Sequence, residues 1–277
     1  MKPILITGAN GFSGRHLLAL LGESGIDTLP MVRTACGLEN EVVADFCDDN
    51  FPALLRKLPP VSAVVHLGTR VGWDGCQREE LFKPNILATA QLADWAKTYN
   101  SYFIFASAAV IAGEHTPHIT GDTGFDLNTS NNYLYSKWLG EQVIAMSGIR
   151  HLNLRISGIF GRNGPRHLGL NNAIRDARNG SPPAQYGEGK IKRNYIYVKD
   201  LCIAIQYCLA NQLEGTLLAA GTYKNSLAEI LETLCDVLLP GSEPEKCPGG
   251  GGHDQIIDSS PLLPTTRTFK EAIEDIK

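Results

Sequence analysis

The opening of the chain constrains its fold more than any other stretch. Residues 2–7 form a short, apolar run that favours a β-strand, and residues 15–21 have the composition of a helix. Between them lies a glycine-rich turn, Gly8-Ala9-Asn10-Gly11-Phe12-Ser13-Gly14. A strand, a glycine turn and a helix N-terminus together suit a phosphate, because the backbone can approach it closely and the free helix N–H groups attract an anion.

The spacing of this turn is G-x-x-G-x-x-G, which differs from the G-x-G-x-x-G of the standard dinucleotide fingerprint. A turn of this kind can also be a tight connection that binds nothing. Its place between a strand and a helix favours nucleotide binding. The predicted contacts are Gly8, Asn10, Gly11, Phe12, Ser13 and Gly14.

The bulk properties indicate a packed globular enzyme: 277 residues, 43% hydrophobic and 19% charged. A net charge of −4, with acids and bases intermixed, predicts no nucleic-acid or membrane partner. The seven cysteines are scattered and form no C-x-x-C pair, so we expect reduced thiols, no metal site and a cytoplasmic protein. We also expect neither a signal peptide nor a membrane span, since no apolar run is long enough.

Strand-like and helix-like segments alternate through residues 1–160. Beyond the opening unit, we predict strands over residues 27–32, 41–44, 62–67, 102–105 and 151–156, and helices over 51–58, 85–99 and 135–146. The run at 62–67 is apolar on both faces, as a buried parallel strand should be. This alternation predicts an α/β fold, a Rossmann-type doubly wound parallel sheet with its ligand crevice at the carboxyl ends of the strands.

Glycines, prolines and polar residues divide the chain into shorter pieces after residue 160. We predict helices over 171–178, 201–209, 227–238 and 268–276, strands over 195–198 and 216–220, a turn over 185–189 and a flexible loop over 248–252. This organisation indicates an NAD(P)-binding domain over 1–160 and a smaller C-terminal substrate-binding lobe over 161–277, interleaved with it rather than independent.

Tyr133 and Lys137 are four residues apart, so on a helix they share a face. An ammonium group beside a phenol favours the phenolate and lowers its pKa, which makes the pair a usable general acid and base. The same spacing also occurs on solvated helix faces. Ser107 follows the strand predicted over 102–105, where its hydroxyl either donates to a substrate oxygen near the tyrosine or caps the next segment. The opening glycine turn, a serine at a strand end and the four-residue spacing of tyrosine and lysine, in this order, are together more specific than any one of them alone.

The motifs follow one another in an order that resembles the extended short-chain dehydrogenase/reductase family, the group of nucleotide-sugar epimerases, dehydratases and reductases. They are residues 7–14, Asp45-Phe46, 65–68, Asn85, 107–110, 133–137 with Glu141, and 193–200. The resemblance extends from residue 1 to about residue 220. It implies that Ser107, Tyr133 and Lys137 form the catalytic triad, and that Lys137 also holds the nicotinamide ribose.

The resemblance also implies where the cofactor and the substrate bind. Asp45 and Phe46 would lie beside the adenine, and Asn85 would be structural or on the cofactor side. The other implied cofactor contacts are Leu67, Gly68, Thr69, Ile156 and Gly158. Arg193 would pair with the diphosphate of a sugar nucleotide, unless it is a surface charge, and Tyr186 would lie against the nucleotide base. Weaker candidates for the substrate pocket are Arg70, Val71, Trp73 and Asn171.

The end of the second predicted strand carries no acidic residue that would bind a ribose 2′-hydroxyl, because the run there is Pro30-Met31-Val32-Arg33-Thr34. Arg33 would pair with a 2′-phosphate, and Thr34 would hydrogen-bond it. NADP(H) is therefore favoured over NAD(H). The alternative is that Arg33 stacks on the adenine of an NAD enzyme.

Departures from the family pattern narrow the reaction. Dehydratases of the family carry Asp-Glu directly after the catalytic serine or threonine, and enediol epimerases carry a cysteine there, whereas this chain has Ala108 and Ala109. We therefore expect NADPH-dependent reduction of the 4-keto group of a nucleotide-activated 4-keto-6-deoxyhexose, with Tyr133 as proton donor. A nucleotide-sugar 4-epimerase with tightly bound NAD and a non-catalytic NADP-binding sensor are the alternatives. By analogy with the group, helices 85–99 and 135–146 would form the interface of a homodimer.

Overall fold

The computed structural model describes residues 2–72, 76–250 and 252–277. The strands are β1 Ile4–Thr7, β2 Thr28–Val32, β3 Val42–Val43, β4 Ala63–His66, β5 Tyr102–Ala108, β6 His118–Ile119, β7 His151–Ile156, β8 Ile159–Phe160, β9 Ala184–Tyr186, β10 Lys192–Arg193, β11 Ile196–Tyr197, β12 Gly215–Ala219, β13 Asn225–Ser226, β14 Glu245–Cys247 and β15 Ile256–Ile257. The α-helices are α1 Phe12–Glu23, α2 Phe51–Leu55, α3 Arg78–Leu81, α4 Ala88–Thr98, α5 Asn132–Ser147, α6 Gly169–Arg178, α7 Val198–Asn211, α8 Leu227–Leu238 and α9 Phe269–Ile276.

Seven strands form the central sheet in the order β12-β7-β5-β4-β1-β2-β3. Every neighbouring pair in this sheet is parallel. From β1 the chain moves outwards through β2 and β3, and then in the opposite direction through β4, β5, β7 and β12. The predicted doubly wound, Rossmann-type sheet is therefore confirmed. The order reverses between β1 and β4, and a crevice forms outside the carboxyl ends of the strands at such a point.

Apolar layers cover both faces of the sheet. Leu17 of α1 lies in one layer and Leu92 of α4 in the other. Along β5, Ile104 belongs to the first layer, whereas Phe103 and Phe105 belong to the second. Both faces of the central strands are thus buried, which is why these strands are continuous apolar runs in the sequence.

The second part of the chain contributes to both halves of the molecule. Helices α6, α8 and α9 share a separate core that includes Ile174, Leu234 and Ile273. Strand β12, however, pairs with β7 in the central sheet. The division predicted at residue 160 therefore does not follow the sheet, and the interleaving of the two parts is extensive.

The segment before α4 differs from the single helix predicted over 85–99. It begins with α3 and continues through a π-helical turn, Phe82–Leu87, which contains Pro84. Proline has no N–H group and its ring displaces the preceding turn, which favours a local change of helical geometry. Helix α5 begins at Asn132, three residues before the predicted start, because the Asn131 side chain caps it by accepting from the Tyr133 and Leu134 N–H groups.

Two further structural findings bear on the expectations from composition. None of the helices within the described ranges is both long and apolar enough to cross a bilayer. The cysteines at positions 36, 47, 76, 202, 208, 235 and 247 are free thiols.

Gly14→Ala should destabilise the fold, because the added Cβ would lie 2.3 Å from the Gly8 carbonyl oxygen. We expect a loss of about 2 kcal/mol in the free energy of unfolding, typical of overpacking. Gly22→Ala is the matched control in the same helix, since its Cβ would meet nothing within 4 Å. That variant should gain about 0.5–1 kcal/mol. Urea denaturation measures both, and equal stabilities of the two variants would contradict the close approach.

Candidate active site

A cleft of about 540 Å³ opens at the carboxyl ends of the central strands. The glycine turn and the start of α1 form one wall, and the start of α5 with the end of β5 forms the other. The predicted site residues that line it are Gly8, Gly11, Phe12, Ser13, Gly14, Leu67, Thr69, Val71, Ser107, Tyr133, Lys137, Ile156, Gly158 and Arg193. The cleft thus brings the predicted triad and most of the predicted glycine turn to one place.

The absence of side chains at the glycines of this turn allows other backbone atoms to approach them closely. Gly8 has φ of +65°, and a Cβ there would lie 2.8 Å from the Gly68 backbone nitrogen. The Gly11 N–H donates to the Gly8 carbonyl at 2.9 Å, and Gly11 caps α1. The first turn of α1 has no acidic residue, so no carboxylate of the helix competes for its free N–H groups. This geometry suits a bound phosphate.

Tyr133 and Lys137 lie on one face of α5, as predicted. The Lys137 Nζ atom donates to the Ala106 carbonyl at 2.7 Å and lies 5.8 Å from the centroid of the Tyr133 ring. Burial lowers the pKa of Lys137 to about 7, while the Glu141 carboxylate acts in the opposite direction. Burial also raises the pKa of Tyr133 above its usual value. The lowering of the tyrosine pKa expected from the sequence is therefore wrong for the protein alone, because desolvation is the larger effect.

Ser107 lies at the end of β5 and is nearly fully buried. Its hydroxyl donates to Glu141 Oε1 at 2.6 Å. Arg155 of β7 binds the same carboxylate through Nε at 3.0 Å and Nη2 at 2.8 Å. The serine proton is therefore directed to a buried carboxylate behind the cleft and not, as expected, towards a ligand.

The loop after β4 is fixed from behind by Asn85. The Asn85 Oδ1 atom accepts from the Arg70 N–H at 2.7 Å and from Thr69 Oγ1 at 3.1 Å. Its amide donates to the Arg70 carbonyl and to Ser136 Oγ, both at 2.9 Å. Because these bonds use both ends of a side chain that is 3% exposed, Asn85 shapes the loop and does not face the cleft.

The residues predicted for the adenine end lie beyond the wall of the cleft. Arg33 is exposed directly after β2. Asp45 accepts from the Cys47 N–H at 2.9 Å. The Phe46 ring contacts Gly68 so closely that a Cβ on the glycine would meet it at 2.7 Å. The side chain of Asn10, also predicted as a contact, accepts from Arg15 at 2.8 Å.

Only some of the predicted substrate contacts line the cleft, whereas all three residues of the predicted triad do. Arg193 lines the cleft and donates to the His253 carbonyl. Arg70 pairs with Glu80, on the outer side of its loop. Trp73 lies outside the described residues.

Asn171 and Tyr186 do not line the cleft. Asn171 accepts from the Gly161 N–H at 3.2 Å and donates to the Ile159 carbonyl at 3.1 Å, so its amide holds a loop. Tyr186 is 58% exposed on β9, which pairs with β14 in a separate two-stranded sheet.

Sequence reasoning missed several polar residues of the cleft. The additional lining residues are Glu114, Ser157, His167, Asn194, Tyr195 and Gln255. These residues come from loops and are brought together only by the fold. Only Asn194 and Tyr195 lie in a motif that the sequence offered, the one over residues 193–200. The spacing of four residues from Lys137 to Glu141 did offer a sign that Glu141 shares the catalytic face.

The cleft has features that fit a dinucleotide. Within the described ranges, the Ser157 hydroxyl oxygen is buried, has no hydrogen-bond partner and stands next to Gly158. The glycine turn offers backbone space that any side chain would fill. The N-terminus of α1 offers N–H groups to a pyrophosphate. These residues are compatible with a bound dinucleotide.

The fold and the cleft define an NAD(P)-dependent enzyme of the oxidoreductase type. The chain matches the model of the NAD dependent epimerase/dehydratase family over residues 4–220 and belongs to that family. It is 25% identical over 255 residues to CDP-abequose synthase of Salmonella typhimurium, covering 86% of this chain and 82% of that protein.

Other known proteins extend the comparison. The chain is 27% identical over 245 residues to ADP-L-glycero-D-manno-heptose-6-epimerase of Alkalilimnicola ehrlichii, covering 76% of this chain and 72% of that protein. The structure of UDP-N-acetylglucosamine 4-epimerase from Bacillus cereus matches with a TM-score of 0.83 at 21% identity, covering 100% of this chain and 98% of the other. At this identity the structural match shows the fold.

Lys137 should make the stability of the protein depend on pH. Its pKa is about 7 in the folded protein, so above that pH the unfolded chain, in which the lysine stays protonated, binds more protons than the folded one. From about pH 7 to about pH 9, the free energy of unfolding should therefore rise relative to Lys137→Met by about 1 kcal/mol per pH unit.

Urea denaturation at a series of pH values measures this difference. Lys270→Met is the matched control, since Lys270 is exposed on α9. Its difference from wild type should be flat over the same range. A Lys137→Met curve that runs parallel to that of the wild type would show that the ammonium is not desolvated.

Proposed function

We propose that the protein reduces the 4-keto group of a nucleotide-activated 4-keto-6-deoxyhexose by hydride transfer from NADPH. The observation that carries the proposal is the placement of Ser107, Tyr133 and Lys137 on one wall of the cleft, opposite the glycine turn. Burial keeps the Tyr133 phenol protonated at neutral pH, as a proton donor has to be before the reaction.

The residues that would hold the cofactor follow from the cleft. The N–H groups at the start of α1 would bind the pyrophosphate, and Ile156 and Gly158 would line the nicotinamide pocket. NADP(H) is favoured over NAD(H) because Arg33 is exposed at the end of β2, where an acidic residue would otherwise select the ribose 2′-hydroxyl. When bound, the reduced nicotinamide supplies the hydride.

The chain's own residues would perform the proton chemistry. Tyr133 would donate its phenolic proton to the substrate oxygen as that oxygen gains negative charge. Lys137, anchored to the Ala106 carbonyl, would stabilise the resulting phenolate and contact the nicotinamide ribose. Groups held in place before the reaction contribute several kcal/mol to lowering such a barrier.

The substrate would occupy the part of the cleft between Val71 and Arg193. Arg193 donates one Nη1 group to main-chain carbonyls and retains further N–H groups for a diphosphate. Tyr186, exposed on β9, remains the proposed contact of the nucleotide base. Ala108 and Ala109 after the serine supply no further acid or base, consistent with plain hydride transfer.

A nucleotide-sugar 4-epimerase with tightly bound NAD is the second candidate. The similarity to a nucleotide-sugar 6-epimerase over most of the chain favours an epimerase in general, and the same three side chains would serve oxidation followed by reduction. A non-catalytic NADP-binding sensor is disfavoured, because such a protein has no use for a half-buried Tyr133 beside a buried Lys137 in the cleft.

We further propose a cytoplasmic homodimer. Exposed apolar side chains lie on α5, at Met146, and on the π-helical turn before α4, at Phe82 and Leu87. A second copy of this chain would cover them, as the expected interface between these helices requires.

The direct test is a panel of 4-keto-6-deoxyglucose derivatives of dTDP, CDP, GDP and UDP, offered with NADPH and with NADH. We expect stoichiometric loss of reduced-nicotinamide absorbance with NADPH, and product NMR should show a new hydroxyl-bearing carbon. An epimerase would instead convert a nucleotide hexose such as UDP-glucose without net loss of absorbance.

Tyr133→Phe should lower turnover at least about 1000-fold while leaving the NADPH dissociation constant within about 3-fold, because it removes the proton but not the ring. Tyr135→Phe is the matched control, since Tyr135 is two residues away on α5 and partly exposed to solvent. Full activity of Tyr133→Phe would remove the proposed mechanism.

A further inference from the structure

Glu141 completes a row on α5 that begins with Tyr133 and Lys137, each four residues from the next. Below this row, Ser107 of β5 and Arg155 of β7 are direct neighbours in the parallel sheet. Both of these side chains reach the same Glu141 carboxylate. The Glu141 side chain is only 3% exposed, so the carboxylate lies behind the cleft and does not meet a ligand.

The chemistry of these groups fixes the direction of the serine hydrogen bond. An ionised carboxylate only accepts, so the 2.6 Å contact places the Ser107 proton on the side of Glu141. The Arg155 guanidinium holds the carboxylate with two parallel hydrogen bonds, which fixes its plane. A hydroxyl has one proton, so Ser107 is left with lone pairs to present to the cleft that it lines.

We propose that Glu141, held by Arg155, is a positioning residue for the hydride-transfer reaction. The Glu141 carboxylate accepts the hydrogen bond of the Ser107 hydroxyl, so that the serine oxygen faces the cleft as a hydrogen-bond acceptor beside the C–O group that reacts. This inference rests on the proposed function. Ser107 then binds the hydroxyl form of the sugar, and Tyr133 alone supplies the proton to the ketone.

A contribution to the stability of the fold does not by itself explain the buried ion pair of Glu141 and Arg155. A buried ion pair often stabilises a fold no more than apolar side chains of similar size would, because both charges lose their hydration. The carboxylate nonetheless stands where it contacts the serine of the proposed triad and lies on the same helix face as the lysine. A role in orienting Ser107 accounts for this placement.

A double-mutant cycle tests the inference, with the nucleotide 4-keto sugars of the panel and NADPH as the probes. Glu141→Gln should lower kcat by about 10- to 100-fold and change KM by less than about 3-fold, because a mispositioned serine affects the transition state more than binding. In the Ser107→Ala background the same substitution should change kcat by less than about 2-fold, since the serine is then absent.

Two further variants separate positioning from folding. The double variant Glu141→Gln/Arg155→Gln leaves no unpaired charge in the core, so it serves in place of Glu141→Gln if that single variant does not fold. Its kcat should also fall by about 10- to 100-fold. Asp200→Asn is the matched control, since the Asp200 carboxylate is also nearly buried and pairs with an arginine, Arg267, without contact to the triad. It should lower Tm while leaving kcat unchanged.

The outcomes are distinct. A folded Glu141→Gln enzyme with wild-type kcat, or a loss as large in the Ser107→Ala background as in the wild type, would overturn the positioning role. Absence of turnover by the wild-type enzyme with every sugar of the panel would instead contradict the proposed function, and with it this inference.

Discussion

A buried chain of hydrogen bonds beneath the cleft holds its two walls together. His66, at the end of β4, contacts Thr7 Oγ1 through Nδ1 at 2.6 Å and Thr89 Oγ1 through Nε2 at 2.9 Å. The Thr89 hydroxyl donates to the Asn85 carbonyl, so it can only accept from His66. The proton of the imidazole is therefore on Nε2, and Nδ1 accepts from Thr7. Burial lowers the pKa of His66 to about 3, so the ring stays neutral. The donor and the acceptor of each hydrogen bond made by the ring are therefore fixed.

The same series of buried hydrogen bonds extends to the elements that form the cleft. Thr7 Oγ1 also accepts from the Gly68 N–H at 3.0 Å, in the loop that packs against Gly8. At the other end, Asn85 donates to Ser136, whose hydroxyl donates to the Tyr133 carbonyl. The glycine turn, the loop after β4 and the start of α5 are thus joined by buried polar bonds. Each contributes about 1 kcal/mol, but leaving one buried group unpaired costs about 1–3 kcal/mol, so the geometry is strongly specified.

The parts that the sequence predicted well are those that local chemistry dictates. The central strands are continuous apolar runs because helices cover both faces, and the glycine turn has to be glycine where Gly8 adopts a positive φ. Tyr133 and Lys137 share a face because of helical geometry alone. The lobe was less predictable, since its short strands have no apolar period of their own and β12 joins a sheet whose other strands lie far away in sequence.

The direction of the Ser107 hydrogen bond could not be predicted either, because it depends on Arg155, a partner that only the sheet register supplies. The tyrosine pKa likewise depends on burial, which spacing does not reveal. Asn171 has the composition of a polar contact residue, yet its amide is fully used by the loop around Gly161. In each case, a long-range contact decided the role of the side chain.

The proposed mechanism requires that a phenol and an ammonium group lie against a bound nicotinamide at the edge of the parallel sheet. A crystal structure of the protein with NADPH tests it most directly. We expect the pyrophosphate on the N–H groups of Gly11 and Phe12, and the nicotinamide ribose within hydrogen-bond distance of Tyr133 and Lys137. A dinucleotide bound elsewhere, or with its nicotinamide turned away from Tyr133, would contradict the account.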